Sequence, residues 1–179
     1  CINKGWQGSY DYKALGQYSD YIMIMAYDEH YQGGPAGPVA SHSFVERSIK
    51  YALQNVPKEK VVLGIPFYAR MWKQGAAIGG QGLSLTSVET LIKKYEGKIS
   101  FDSYYLSPKA VITIKPEDEK PTVMGQKLGA GTYTIWYENE ASIKYKLNLV
   151  NKYDLKGTGS WSLGQEPANT WDYYDLWLN

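Results

Sequence analysis

The run "YIMIMAYDEHY" (21–31) decides the fold that the sequence predicts. Alternate residues of a strand point to opposite faces, and both sets are largely apolar here: Tyr21, Met23, Met25 and Tyr27 on one side, Ile22, Ile24 and Ala26 on the other. Apolar residues on both faces are typical of a parallel strand that is covered on both sides. Asp28 and Glu29 follow at once, so the strand is predicted to end at a functional site.

The segments that follow predict a βαβ unit. Residues 43–56 have helical spacing of their apolar residues and open with Ser43 and Glu46 at capping-box spacing. The run "EKVVLGIPFYAR" (59–70) is predicted to be a second buried strand that also ends in aromatic residues and a charge. In such units the carboxyl ends of the strands lie at one edge of the sheet, where the polar groups would meet.

The middle of the chain has a different pattern, and we predict an α+β insertion over residues 71–135. It combines a glycine-rich loop, a helix over 86–95 with a Thr86 and Glu89 capping box, and three short antiparallel strands. Residues 1–70 and 136–179 would then form the main domain, with a helix over 138–157, a strand over 157–163 and a terminal helix over 169–179. Three βα units are far fewer than the eight of a complete (β/α)8 barrel.

The composition limits the function classes. The chain of 179 residues contains 17 Tyr and 6 Trp but only 3 Phe. Tyr and Trp combine a flat apolar face with a polar tip, which suits either a carbohydrate surface or ordinary packing. A net charge of +1 without a basic cluster argues against a nucleic-acid partner.

The single cysteine, Cys1, excludes a disulfide within the chain and argues against a thiolate metal site. No apolar run is long enough to cross a membrane, so no membrane partner is predicted. The chain begins "CINKGW" without a methionine, which we interpret as an internal start.

Five segments in order resemble glycoside hydrolase family 18, the chitinase-like (β/α)8 barrels: "MAYDEHY" (25–31), "GGPAGPVA" (33–40), "VVLGIPFYAR" (61–70), "WYENEASIKYKL" (136–147) and "GTGSWSLGQE" (157–166). The chain is most similar to the bacterial subgroup of spore-cortex-lytic N-acetylglucosaminidases and related peptidoglycan- or chitin-directed members. The resemblance implies an α/β fold: strands six to eight of the barrel, with the insertion between strand seven and its helix.

The resemblance also implies roles for individual residues. Enzymes of this family use the acetamido group of the substrate as the nucleophile. Tyr27 and Asp28 would be the catalytic residues that hold this group. The residues that would bind substrate are Met25 at the base of the pocket, Trp161 as a floor under the sugar, Arg70 and Glu29. No metal or organic cofactor is implied.

Each of these residues also has a purely structural interpretation when taken alone. Trp161 and Met25 are typical of core packing. Tyr27 and Asp28 are equally compatible with a hydrogen bond at a strand end, and Glu29 with His30 would more often anchor a loop. Glu138 and Glu140 precede a helix, where carboxylates are favoured by the dipole, so neither is assigned to catalysis. The ordered combination of segments favours function for Tyr27, Asp28 and Trp161.

One part of the family pattern is absent. The acid motif Asp-x-x-Asp-x-Asp-x-Glu of strand four does not occur in this sequence. The chain alone is therefore predicted to be inactive, as the C-terminal part of a parent enzyme acting on β-1,4-linked N-acetylglucosamine polymers. It would associate with the missing barrel half or with a second copy. Two other hypotheses stay open: a non-catalytic chitin- or peptidoglycan-binding module, and a structural domain. By resemblance the protein would be extracellular, at a bacterial cell wall or spore.

Overall fold

The computed structural model describes residues 10–174, which contain five α-helices, one short 3₁₀ helix (Lys58–Lys60) and ten strands. The helices are α1 Tyr12–Tyr18, α2 His42–Leu53, α3 Leu85–Lys94, α4 Glu140–Lys152 and α5 Thr170–Tyr174. The strands are β1 Ile22–Ile24, β2 Val61–Pro66, β3 Tyr68–Lys73, β4 Gln81–Ser84, β5 Lys98–Asp102, β6 Ser107–Ile114, β7 Thr122–Val123, β8 Gln126–Lys127, β9 Gly131–Trp136 and β10 Gly157–Trp161.

A three-stranded parallel sheet has the order β1-β2-β10. Met23 lies opposite Val62, and Trp161 lies opposite Pro66. Parallel neighbours need a crossover connection, which α2 supplies between β1 and β2. The three strands therefore present their carboxyl ends at the same edge, as the sequence predicts.

The prediction of a single strand over 59–70 is wrong. This segment forms two strands, β2 and β3, which are separated at Phe67. β2 belongs to the parallel sheet, whereas β3 pairs antiparallel with β4 and β9. Phe67 is fully buried, and its backbone N–H donates to the Trp161 carbonyl at 2.7 Å. Both strands are rich in apolar residues, so the pattern alone does not reveal where the chain changes sheet. Arg70 consequently lies on the antiparallel sheet rather than at the end of β2.

The antiparallel sheet has five strands in the order β4-β3-β9-β6-β5. Its central strands bury apolar side chains such as Met71, Ala110, Ile112 and Ile135, and α3 packs its buried Val88 and Leu91 in the same core cluster. β7 and β8 form a separate hairpin. This mixed region agrees with the predicted α+β character, while its exact limits at 71 and 135 stay a prediction.

Two helices start differently from the prediction, which is wrong about both capping boxes. α2 is capped by the hydroxyl of Ser41, which accepts from the Phe44 N–H at 3.3 Å. α3 is capped by the hydroxyl of Ser84, which accepts from the Ser87 N–H at 3.1 Å. In each case an N-cap serine lies two residues before the predicted one.

The two faces of the parallel sheet differ in exposure. Ile24, Leu63 and Ile65 are buried under α2 and α4. On the opposite face Met23 is 44% exposed and Met25 is 60% exposed. No described element within residues 10–174 packs on the methionine side, so this face is uncovered although its sequence pattern is that of a strand covered on both faces.

The described chain has a mixed α/β fold. The strand at 157–161 and the helix at 140–152 agree with the sequence prediction apart from their ends. Of the predicted terminal helix, Thr170–Tyr174 is observed and 175–179 lies outside the described residues. Every helix within 10–174 is too short or too polar to cross a lipid bilayer.

Candidate functional site

The candidate site is built where β1 ends. Tyr27 and Asp28 follow this strand, and Asp28 has a left-handed backbone conformation with φ of 60°. This conformation is uncommon for residues other than glycine, although aspartate tolerates it better than most. The turn carries the Asp28 side chain, which is 44% exposed, toward β3.

Asp28 is the centre of a hydrogen-bonded cluster. Its Oδ1 atom accepts three bonds: from the Tyr68 hydroxyl at 2.5 Å and from Nε and Nη2 of Arg70 at 2.9 and 2.7 Å. Arg70 also donates through Nη1 to the Gly80 carbonyl at 2.7 Å, and its side chain is only 15% exposed. No residue within 10–174 donates to Oδ2 of Asp28, so one oxygen is fixed and the other is available.

Tyr68 remains a hydrogen-bond donor over the physiological pH range. Burial raises the pKa of its phenol, and the hydrogen bond to Asp28 raises it further. The Arg70 guanidinium lies 5.7 Å from the centre of the Tyr68 ring. The ring therefore contacts the same cation that pairs with Asp28, and the three side chains hold one another in place.

Tyr27 lies beside this cluster and against the sheet. Its ring meets the Tyr68 ring edge to face, with centroids 6.0 Å apart. The close approach requires Gly64, since a Cβ there would lie 3.1 Å from the Tyr27 ring and 2.9 Å from the Ile24 carbonyl oxygen. Burial raises the pKa of the Tyr27 phenol, and the Asp28 charge adds to this effect. The hydroxyl is thus protonated and can donate to a ligand.

Met25 and Trp161 extend the site across the uncovered face of the parallel sheet. Both are 60% exposed. Trp161 ends β10, and its register partner is Pro66 at the end of β2. The peptide bond between Trp161 and Ser162 is cis. An indole with this exposure offers a flat apolar surface, and the interpretation of Trp161 as a core residue is wrong for the described chain.

Glu29 points away from the cluster into the loop before α2. Its Oε2 accepts from the Ser41 N–H at 2.8 Å, and its own N–H donates to the Val39 carbonyl. The neighbouring His30 lies 2.9 Å through Nδ1 from the Pro38 carbonyl. The two residues anchor this loop, which matches the structural alternative, and a substrate contact for Glu29 stays a prediction.

The structure thus brings together Tyr27, Asp28 and Arg70, with Met25 and Trp161 on the adjoining sheet face. Sequence reasoning missed Tyr68. The available signal was its spacing of two from Arg70, which puts both on one face of a strand. Among residues 10–174, no three His, Cys, Asp or Glu side chains are grouped so that they could hold a metal ion.

Comparison with known proteins gives a consistent result. The model of the family "Glycosyl hydrolases family 18" matches residues 1–166. The uncharacterized glycosylase YvbX of Bacillus subtilis (strain 168) is 29% identical over 169 residues, covering 94% of this chain and 45% of the relative. The cortical fragment-lytic enzyme of the same organism is 27% identical over 169 residues, covering 93% of this chain and 36% of the relative.

A solved structure supports the same relationship. The chitinase from Chromobacterium violaceum ATCC 12472 superposes with a TM-score of 0.79 at 32% identity. The match covers 94% of this chain and 49% of that protein. The chain therefore spans less than half the length of each of these three proteins.

Proposed function

Since this chain belongs to family 18 of the glycosyl hydrolases, we propose that it supplies the C-terminal part of a barrel that cleaves β-1,4-linked N-acetylglucosamine polymers. The observation that carries the proposal is the uncovered face of the parallel sheet, which ends in the Tyr27, Asp28 and Arg70 cluster. Methionine and tryptophan side chains there would face the interior once the other barrel strands are present.

The proposed reaction is retaining and uses the substrate as its own nucleophile. The oxygen of the 2-acetamido group attacks the anomeric carbon while the glycosidic bond breaks. Tyr27 would donate a hydrogen bond to the acetamido group. The free Oδ2 of Asp28 would accept one from the acetamido N–H or a sugar hydroxyl. Trp161 would support the reacting sugar with its indole face.

The geometry of Asp28 suits this role. Three donors converge on Oδ1, so the orientation of the carboxylate is fixed before the ligand arrives. Groups held in place in advance bind and stabilise a transition state better than mobile ones. Met25 would line the base of the pocket, and Arg70 would act mainly by orienting Asp28.

The general acid would come from outside this chain. Acid catalysis contributes about 10²–10⁴-fold to such reactions, so we expect no appreciable turnover by the chain alone. The missing barrel strands would supply the acid and cover the exposed sheet face, either in the same polypeptide or by association. Substrate would be peptidoglycan of the cell wall or spore cortex, or chitin, in keeping with the names of the relatives.

A second candidate function is sugar binding without catalysis. The 60% exposure of Trp161 favours it. An aromatic platform binds sugar whether or not an acid is nearby. Addition of a polypeptide that provides the missing strands would distinguish the two candidate functions. Only a hydrolase would then release sugar from the polymer.

The proposal is tested by titrating the chain with a tetramer of N-acetylglucosamine and following tryptophan fluorescence. Wild type should show a saturable change, and Trp161→Ala should lose it. Trp171→Phe is a matched control, because Trp171 is also exposed (46%) but lies on α5. Equal binding by wild type and Trp161→Ala would reject Trp161 as the sugar floor.

A further inference from the structure

The strand β5 is an open edge of the antiparallel sheet. In the order β4-β3-β9-β6-β5 it has β6 on one side and no neighbour on the other among residues 10–174. Four of the five residues of β5 are exposed, whereas every residue of β4, the strand at the other edge, is at least partly buried. An exposed edge presents unpaired backbone N–H and C=O groups, which are a template for pairing with another strand.

The backbone groups that point out from this edge can be assigned from the neighbouring strands. The Tyr137 N–H donates to the Pro108 carbonyl at 3.3 Å, so the backbone groups of Pro108 point to β9 and away from β5. Pro108 lies opposite Phe101, and opposed residues of an antiparallel pair point either toward each other or away from each other. The N–H and C=O groups of Phe101 and Ile99 therefore point outward, while those of Ser100 point to β6.

The same two residues carry apolar side chains that reach solvent. Ile99 is 60% exposed and Phe101 is 41% exposed. Both lie on one face of β5, because alternate residues of a strand share a face. The other face carries the polar side chains of Lys98, Ser100 and Asp102. The strand thus begins with a cation, ends with a carboxylate and has an exposed apolar face between them.

The sequence of β5 is complementary to itself in the antiparallel direction. When two copies are paired with Ser100 opposite Ser100, Lys98 of each copy lies opposite Asp102 of the other. Ile99 then lies opposite Phe101, and the two residues exchange both of their outward backbone hydrogen bonds. Cross-strand pairs of opposite charge and of apolar side chains both stabilise a sheet. No other antiparallel register pairs all five residues of the strand.

The end of β5 is held in place before any association. Oδ1 of Asp102 accepts from the backbone N–H groups of Tyr104 and Tyr105, at 3.0 and 3.1 Å. Its Oδ2 lies 3.8 Å from Nζ of Lys109, which is a long ion pair. The carboxylate is therefore oriented by the turn through one oxygen, and the other oxygen is available to a cation of a second copy.

We propose that this chain forms a two-fold symmetric dimer in which β5 pairs antiparallel with β5 of a second copy. An unrelated extended peptide would satisfy the same backbone groups but not the reciprocal charge pairs. A contact of one short strand is smaller than a standard interface of about 1,600 Å², so the dimer is weak and depends on concentration. β5 is separated by β6 and β9 from β3, which carries Arg70, so the interface does not rest on the proposed sugar site.

The first test combines sedimentation velocity with amide hydrogen exchange of the ¹⁵N-labelled chain, from micromolar to near-millimolar concentration. We expect the sedimentation coefficient to rise toward that of a dimer. The amide protons of Ile99 and Phe101 should exchange several-fold more slowly at the high concentration, because their N–H groups gain partners. Ser100, which is already bonded to β6, should change little. A chain that stays monomeric, or slower exchange at β1 or β10 instead, would overturn the proposal.

A cysteine on the two-fold axis tests the register. In a Cys1→Ser background, Ser100→Cys places two thiols opposite each other, with Cα atoms about 4.5 Å apart in a pair without backbone hydrogen bonds. A disulfide can bridge that distance. Lys98→Cys is the matched control, because the two copies of this position lie about 13 Å apart in the dimer. We expect covalent dimers from Ser100→Cys alone under mild oxidation, and equal yields from both variants would overturn the proposal.

Two further variants separate backbone pairing from charge. Ile99→Pro removes an outward N–H, at a position where proline leaves the bonds to β6 intact, and should abolish association while circular dichroism shows a folded chain. Lys98→Glu faces Asp102 of the second copy with a like charge and should weaken association at least about fivefold. Lys127→Glu makes the same change in net charge on β8, at an exposed position, and should have no effect. Unchanged association of folded Ile99→Pro, or equal weakening by the two charge variants, would overturn the paired edge.

Discussion

Asp28 and Glu138 are two carboxylates that each accept hydrogen bonds from one basic side chain and one hydroxyl group. Asp28 binds Arg70 at 2.7 Å and the Tyr68 hydroxyl at 2.5 Å. Glu138 binds Lys146 at 2.8 Å and the Ser142 hydroxyl at 2.5 Å. In both, a single carboxylate oxygen takes all of these bonds.

Their surroundings differ. The Glu138 side chain is fully buried, whereas that of Asp28 is 44% exposed and lies where β1 ends. A fully buried ion pair is surrounded by the core. A variant that removes one partner is strongly destabilised, because the other charge is left buried and unpaired. A half-exposed pair contributes little to folding but keeps an oxygen available for a ligand. The same local chemistry thus supports structure in one place and, we propose, binding in the other.

The largest loss of stability is expected when the buried Glu138–Lys146 pair is broken. Glu138→Ala should lower the free energy of unfolding by about 3–5 kcal/mol, because Lys146 is then left buried without a counter-charge. Urea unfolding followed by circular dichroism measures the change. The variant with both Glu138→Met and Lys146→Met should recover most of the loss. A double variant as unstable as Glu138→Ala would show that the charges do not act as a pair.

Asp28, whose side chain is 44% exposed, should respond in the opposite way. Asp28→Asn should change the free energy of unfolding by less than about 1 kcal/mol. It should weaken binding of the N-acetylglucosamine tetramer about tenfold or more, since a charged hydrogen bond contributes roughly 1.5–3 kcal/mol. Calorimetric titration measures the affinity, and the exposed Asp20→Asn is the control. Unchanged affinity in Asp28→Asn would remove Asp28 from the proposed sugar site.

A smaller effect is expected when only the orientation of Asp28 is disturbed. Tyr68→Phe removes one of the three donors to Oδ1 and should weaken tetramer binding several-fold, the equivalent of about 1 kcal/mol. The same titration checks it. Tyr95→Phe is the matched control, because its hydroxyl donates to the Glu119 carbonyl outside the site. Equal losses in both variants would indicate a general effect on the fold.

The smallest change in stability is expected at Glu46, a third carboxylate that accepts hydrogen bonds from one basic side chain and one hydroxyl group. Glu46 accepts from Lys152 at 2.8 Å and from the Tyr153 hydroxyl at 2.7 Å, which joins α2 to the end of α4. These hydrogen bonds lower the pKa of Glu46 to about 2. Because the folded pKa is depressed, its stabilisation is complete above about pH 4.5 and is lost as the pH falls toward 2.

The variant Glu46→Gln should therefore be slightly less stable than wild type at pH 7, and the difference should shrink between pH 4.5 and 2. Urea midpoints at pH 7, 4.5 and 2.5 measure it, with Glu59→Gln as the control. A difference that stays constant over this range would contradict the assigned cause.

The sequence predicts well that polar side chains gather beyond the carboxyl end of β1, because apolar alternation followed by polar residues marks a strand end. Tyr27, Asp28 and Arg70 are indeed brought together there. The break at Phe67 could not be predicted, since β2 and β3 are both apolar and continuous in pattern. Tyr68 was missed because its hydrogen bond to Asp28 depends on the turn at Asp28 and on the position of β3, which no local pattern reports.

Other features depend on tertiary contacts that no local pattern reports. Glu138 looks like an ordinary residue before a helix, and its burial follows only from how β9 and α4 pack with Lys146. The exposure of Met23 and Met25 likewise depends on what covers the sheet rather than on their own sequence pattern. The predicted N-caps, Ser43 and Thr86, each lie two residues after the observed one. Ser41 and Ser84 were passed over because further hydroxyl residues follow each of them.

We propose that the uncovered face of the parallel sheet is a surface for N-acetylglucosamine polymers. The most direct measurement is an NMR titration of the labelled chain with the N-acetylglucosamine tetramer, with every shifted signal assigned. We expect saturable shifts confined to the signals of Met25, Tyr27, Asp28 and Trp161 and their neighbours. Shifts confined to the antiparallel sheet, or no saturable shift at any ligand concentration, would show that this face does not bind the polymer.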